Sequence, residues 1–177
     1  MPIIGIEPSE KYRELLGLFS HEYFHSWNVK IIKPEAFIEY NLQEANQTSL
    51  LWVFEDFTPY YENAFLLRSK LISYSVYIDI ICKKINKLMS LPGLKKQTLA
   101  QSSFDARTSY YKQDENSPNS TISYYLKGSI IALVLDSTII KDSNGKYSLD
   151  DVMRFMRDKY GRNFYKGIKK KARLRTT

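Results

Sequence analysis

The sequence predicts a mainly α-helical fold, on three observations. Apolar residues recur at intervals of three and four along several long segments, the spacing of one helix face. Turn-forming clusters such as Leu91-Pro92-Gly93, QDENSPNST and DSNGK separate those segments. At 177 residues and 44% hydrophobic, the chain can bury a core, and its length fits one domain or a large piece of one.

Taken in order, Tyr12, Leu15, Leu16, Phe19, Tyr23 and Trp27 line one face of a first helix, which the pattern carries to Asn28. A loop through Pro34 and NLQEANQTS follows, with at most a short strand near Tyr40. LLWVFEDFTPYYENAFLLRSKL reads as a second long helix. Pro59 lies inside it and lacks the N–H that would bond to the Glu55 carbonyl, so a kink or a later helix start is expected. A third helix spans Tyr74 to Met89, a short one Leu99 to Tyr111, and another Ile122 to Ile140. Ser148 with Asp151 three residues on opens the last helix, and Gly161 stands where a C-terminal glycine cap would. No internal repeat or low-complexity segment is present.

The totals exclude several classes. Cys82 is the single cysteine, so no intrachain disulfide can form, and its apolar surroundings place it in a helix core. The opening MPIIGIEPSEKYRE has no basic start, apolar run or small-residue cleavage site. A cytoplasmic setting is therefore expected for this chain, although a longer parent could be exported. The longest apolar run, SIIALVL, meets Asp136 well short of the roughly 20 residues a bilayer needs, which argues against membrane insertion. The net charge is +7, but six of those charges fall between Lys166 and Arg175. Taking them away leaves +1 for residues 1–165. Residues 166–177 are thus a basic tail, read as a solvated chain end, and nucleic-acid binding is disfavoured.

SHEYFHSWN carries both histidines of the chain, His21 and His25, with Glu22 directly after the first. Histidines at i and i+4 lie about 40° apart around a helix axis, close enough to grip one metal ion. They lie roughly opposite the Tyr12, Phe19 and Tyr23 stripe, so a role in packing that face does not account for them. Two imidazoles leave zinc short of the three protein ligands of a catalytic site. Carboxylates are the candidates for the third: Glu55 in WVFEDFT is preferred and Glu62, on a similar face seven residues on, is the reserve, since spacing alone does not separate them. Glu22 is then the general base toward a zinc-activated water.

At these residues the sequence resembles the glycyl aminopeptidase family of zinc metallopeptidases, of the gluzincin group. HEYFHSWNVKIIKP, LLWVFEDFTPYYE, SSFDA, YYKQDENSPNSTISYYLKG and SLDDVM are similar to family blocks, in order. The resemblance implies zinc as cofactor, His21, His25 and Glu55 as its ligands, and Glu22 as the base. Tyr-x-Lys-Gly in SYYLKG implies Tyr125 as the stabiliser of the oxyanion, with Tyr124 as the fallback.

It further implies that residues 1–165 form the helical lobe of a thermolysin-like (zincin) catalytic domain. A strand lobe upstream and a PDZ domain downstream, present in full-length members, would be its partners in a parent chain, and the exposed lobe interface could self-associate. Three positions depart from the family pattern. Asp56 replaces glycine after the ligand and is expected to add a negative charge beside the site, Pro59 replaces a more helix-friendly residue, and Arg107 stands for tryptophan. The function expected is hydrolysis of peptide bonds by an aminopeptidase-like zinc enzyme, the isolated piece binding zinc with little activity. The alternatives are a catalytically decayed helical binding module and a nucleic-acid binder acting through the tail.

Overall fold

Ser9 opens the first helix: its hydroxyl accepts the Tyr12 N–H at 3.3 Å, and α1 runs from Glu10 to His25. The structure, a computed structural model, describes residues 8–26, 28–37, 43, 47–91, 98–104 and 124–161. A single 3₁₀ turn, Glu35–Phe37, follows α1. A π-turn, Trp52–Asp56, leads directly into α2, Phe57–Arg68. Then come α3 (Tyr74–Ser90), α4 (Leu99–Phe104), α5 (Tyr124–Asp142), α6 (Leu149–Met156) and a second π-turn, Arg157–Gly161. Among the described residues there is no strand, only an isolated bridge between Asn28 and Ile32, so the mainly α fold class holds.

The core is assembled around α2, which packs against α1, α3, α5 and the first π-turn. Phe24, Phe54, Phe57, Tyr60, Tyr61, Ala64 and Ala132 form its centre, with Leu149 and Met153 closing one side. Phe24 stacks on Tyr61, ring centroids 4.5 Å apart. Asp136 of α5 fastens α6 to this core. It accepts the otherwise orphaned N–H of Leu149 at 2.7 Å and the Tyr60 O–H. Asp151 accepts the Ser148 N–H at 2.9 Å, so the expected start of the last helix is the one observed. Asn144 and Gly145, with φ of 51° and 79°, make the left-handed turn expected of DSNGK.

Three expectations are corrected and one, at Pro59, is narrowed to a single outcome. The Tyr12, Leu15, Phe19 and Tyr23 stripe is not the packed face of α1; all four are exposed. The helix turns the side bearing Gly17, Ser20, His21, Phe24 and His25 toward α2, because Phe24 finds the aromatic core there and Gly17 lets the helices approach closely. The disturbance anticipated at Pro59 takes the form of a later helix start. The chain makes a π-turn first, and Pro59 falls in the first turn of α2, where its missing N–H is not needed. Cys82 is exposed rather than buried, since α3 lays much of its apolar surface open. Gly161 ends the second π-turn without a left-handed φ; its small size serves contact with Ile31, whose side chain lies 2.6 Å from where a Cβ would stand.

The strand near Tyr40, Trp27, QDENSPNST, Arg107, the helix beyond Phe104 and the basic tail lie outside the described residues. No helix among the described residues is long and apolar enough to cross a membrane.

Candidate active site

His21 and His25 occupy the last turn and a half of α1, their rings edge to face with centroids 4.7 Å apart. Their Nε2 atoms approach to 3.1 Å, and Glu55 Oε2 lies 3.5 Å from His25 Nε2. One donor atom from each of His21, His25 and Glu55 falls within 4.8 Å of the other two. The preferred third carboxylate is therefore the one that meets the histidine pair. Glu62, the reserve, sits behind His21, with Oε2 3.6 Å from Nδ1, so it faces the opposite edge of the ring from that point.

Local backbone geometry explains why Glu55 arrives. A π-turn carries an extra residue per turn, and such turns concentrate at functional sites. Here it leaves the Phe54 carbonyl free to accept the Thr58 hydroxyl at 2.9 Å and the Asn28 side-chain amide at 3.1 Å. Asn28 is completely buried, and its own backbone carbonyl lies 3.1 Å from His25 Nδ1. One residue thus joins the histidine helix to the turn that bears Glu55. The next residue, Val29, holds φ of 103°, a strained conformation for a β-branched side chain. Nothing in the sequence pattern singles out Asn28, because the link runs through one backbone and one side-chain bond across 26 positions.

The surroundings orient both rings. Nδ1 of His25 faces the Asn28 carbonyl and Nδ1 of His21 lies on the side of the Glu62 carboxylate, which turns both Nε2 atoms toward each other beside the Glu55 oxygen. Nitrogen and oxygen atoms this close can share a proton or a cation. The hydrogen bond to Glu55 raises the His25 pKa above its ordinary value against the opposing effect of burial, with the Asn28 carbonyl and the charges of Glu55 and Glu22 adding to it. A divalent ion would serve as well. Zinc–nitrogen bonds of about 2.0–2.1 Å at tetrahedral angles imply donor separations of about 3.3 Å, close to the 3.1 and 3.5 Å found. The donor set and its spacing fit zinc.

Glu22 lies between the two histidines in sequence and is exposed, acting on His25 through its charge. Tyr125 enters from α5, its O–H donating toward Glu55 Oε2 at 3.5 Å. The Tyr124 side chain lies outside the described residues. Gly128, three residues after Tyr125, explains the glycine of Tyr-x-Lys-Gly: a Cβ there would come within 2.1 Å of Asp56 Oδ2. The bare backbone brings α5 against the π-turn and so delivers Tyr125 to Glu55.

Asp56 does not add the negative charge expected of it. It is completely buried, both carboxyl oxygens lack a hydrogen-bond partner, and burial, reinforced by the charge of Glu55, pushes its pKa up to about 9. At neutral pH it is uncharged.

The model of the M61 glycyl aminopeptidase family matches residues 14–131, well over half of the chain and the whole span from α1 into α5. The chain belongs to the M61 glycyl aminopeptidase family. Among solved structures, an aminopeptidase N family protein from Idiomarina loihiensis superposes with a TM-score of 0.86 at 36% identity. That alignment covers 92% of this chain and 28% of the other, so this M61 chain spans little more than a quarter of the length of that protein. No curated protein matches it.

Proposed function

We propose that this M61 chain is the metal-bearing part of a zinc-dependent, aminopeptidase-like hydrolase of peptide bonds, with His21, His25 and Glu55 as zinc ligands. The observation that carries the reading is the convergence of one atom from each of these residues within 4.8 Å. Membership in a peptidase family supports the reaction class.

Bound by these three residues, zinc would supply a Lewis acid that polarises the scissile carbonyl and makes water a nucleophile at neutral pH. Glu22, exposed beside His21, accepts a proton from the attacking water and returns it to the departing amine. Tyr125 offers its hydroxyl to the carbonyl oxygen as negative charge develops there. Asn28 and the π-turn hold His25 and Glu55 in place, so little reorganisation accompanies the reaction.

Substrate lies between two walls in this scheme, and the described helices furnish one. The remaining wall belongs to further domains of a longer parent, with a strand lobe and a PDZ domain as the partners proposed. The chain by itself is therefore expected to bind about one zinc and to turn over peptides weakly. The decisive experiment uses the full-length protein: Glu22→Gln should retain zinc and lose peptidase activity by several orders of magnitude. Full activity in that variant rules the mechanism out. Failure of the wild-type chain to take up zinc after dialysis favours the decayed binding module.

A further inference from the structure

Resting on the zinc reading, we infer that Glu62 is a positioning residue: its carboxylate receives the Nδ1–H of His21, holding the ring in the tautomer and orientation that aim Nε2 at the shared point.

Four features argue that Glu62 is placed for this task. Its Oε2 lies 3.6 Å from His21 Nδ1, with the two side chains only 27% and 19% exposed, so solvent competes weakly for either partner. The α1 backbone is cut away for it. Gly17 sits one turn before His21, and a Cβ there would come within 2.7 Å of Glu62 Oε1. Glycine inside a helix costs about 1 kcal/mol relative to alanine, and room for this carboxylate is what the position gains.

The register between helices is fixed by the residue preceding His21: the Ser20 hydroxyl donates to the Glu62 carbonyl at 3.1 Å. Finally, Lys84 of α3 presents an ammonium group to the region, donating to the Pro59 carbonyl at 3.2 Å; burial lowers its pKa and the nearby charge of Glu62 opposes that shift.

The two histidines are thus supported differently. His25 relies on the Asn28 backbone carbonyl, which no side-chain change can remove, and His21 on a side chain that mutation can delete. Outer partners of this kind set metal affinity by about 10–100-fold.

The test has two readouts on the 177-residue chain. Nitrogen-15 NMR of the metal-free protein should show His21 with its proton on Nδ1. In Glu62→Ala, it should shift toward a mixture of tautomers. Zinc affinity, measured by competition with a chromophoric chelator, should fall about 10–100-fold in Glu62→Ala. Glu62→Gln keeps an acceptor oxygen at the same place and guards against a folding artefact; it should retain the Nδ1–H form and lose clearly less affinity than alanine.

An unchanged His21 tautomer in Glu62→Ala, affinity within twofold of wild type, or a glutamine variant as weak as alanine overturns the assignment. Absence of zinc binding by the wild type overturns the zinc reading instead, and the metal-free tautomer experiment still decides the role of Glu62.

Discussion

Glu55 and Asp56 are adjacent carboxyl groups on one π-turn, and they meet opposite environments. Glu55 is 24% exposed and faces His25 and Tyr125. Asp56 is buried completely, pressed against Gly128 without a hydrogen-bond partner, and held neutral. One step along the backbone separates a group available to a cation from one that fills space between helices. Residue type therefore says little here; the direction the turn gives each side chain says nearly everything.

The sharpest way to break this contrast is to truncate each carboxyl in turn. Glu55→Ala should weaken zinc binding by about 100-fold or more. A zinc site worth roughly 10–16 kcal/mol divided among four ligands loses about 3 kcal/mol with one of them. Asp56→Ala should stay within a few-fold of wild type. Equal losses in a zinc titration of the two variants would erase the distinction.

Next in size is the contact on the buried side. Gly128→Ala drives a methyl group into Asp56 and should destabilise the chain by about 1–3 kcal/mol, lowering the melting temperature by roughly 2–4 °C per kcal/mol. Combining it with Asp56→Gly should recover much of the loss, and strict additivity of the two changes would show that they do not touch.

A smaller effect is expected at the joint between the helices. Asn28→Ala removes the bond to the Phe54 carbonyl and should cost about 1 kcal/mol in thermal unfolding. Zinc affinity should drop a few-fold as the turn bearing Glu55 loses its tie to the histidine helix; unaltered affinity would confine Asn28 to folding.

A separate test concerns the Asp56 charge. Its pKa is raised in the folded state, from 3.8 to about 9, so the folded chain binds more protons than the unfolded one between those values. Stability from this group is therefore greatest below about pH 4 and declines as pH rises toward 9. Asp56→Asn should remove that part of the slope in metal-free protein. An unaltered pH profile would mean that Asp56 is ionised in the fold.

Periodicity alone located the helices, and the resemblance of several blocks pointed to the family, because both depend on local spacing. The capping residues Ser148 and Asp151 and the Asn144-Gly145 turn were legible for the same reason. What spacing could not give is which face of α1 is packed. Tyr12, Phe19 and Tyr23 make the more obvious apolar stripe, yet Phe24 and Gly17 decide the matter by fitting α2.

The supporting layer of the site was equally hidden. Glu62 was visible only as a rival ligand, and its place behind His21 depends on how two helices are rotated against each other. Asn28 and the mutual fit of Asp56 and Gly128 are contacts across many positions, and no local pattern announces them.

The most direct measurement is the coordination of zinc in the loaded chain, by anomalous diffraction or X-ray absorption at the zinc edge. One ion per chain is predicted, bound by His21 Nε2, His25 Nε2 and a Glu55 carboxylate oxygen. Zinc held elsewhere, or a two-histidine site unaffected by Glu55→Ala, would contradict the convergence on which the proposed function stands.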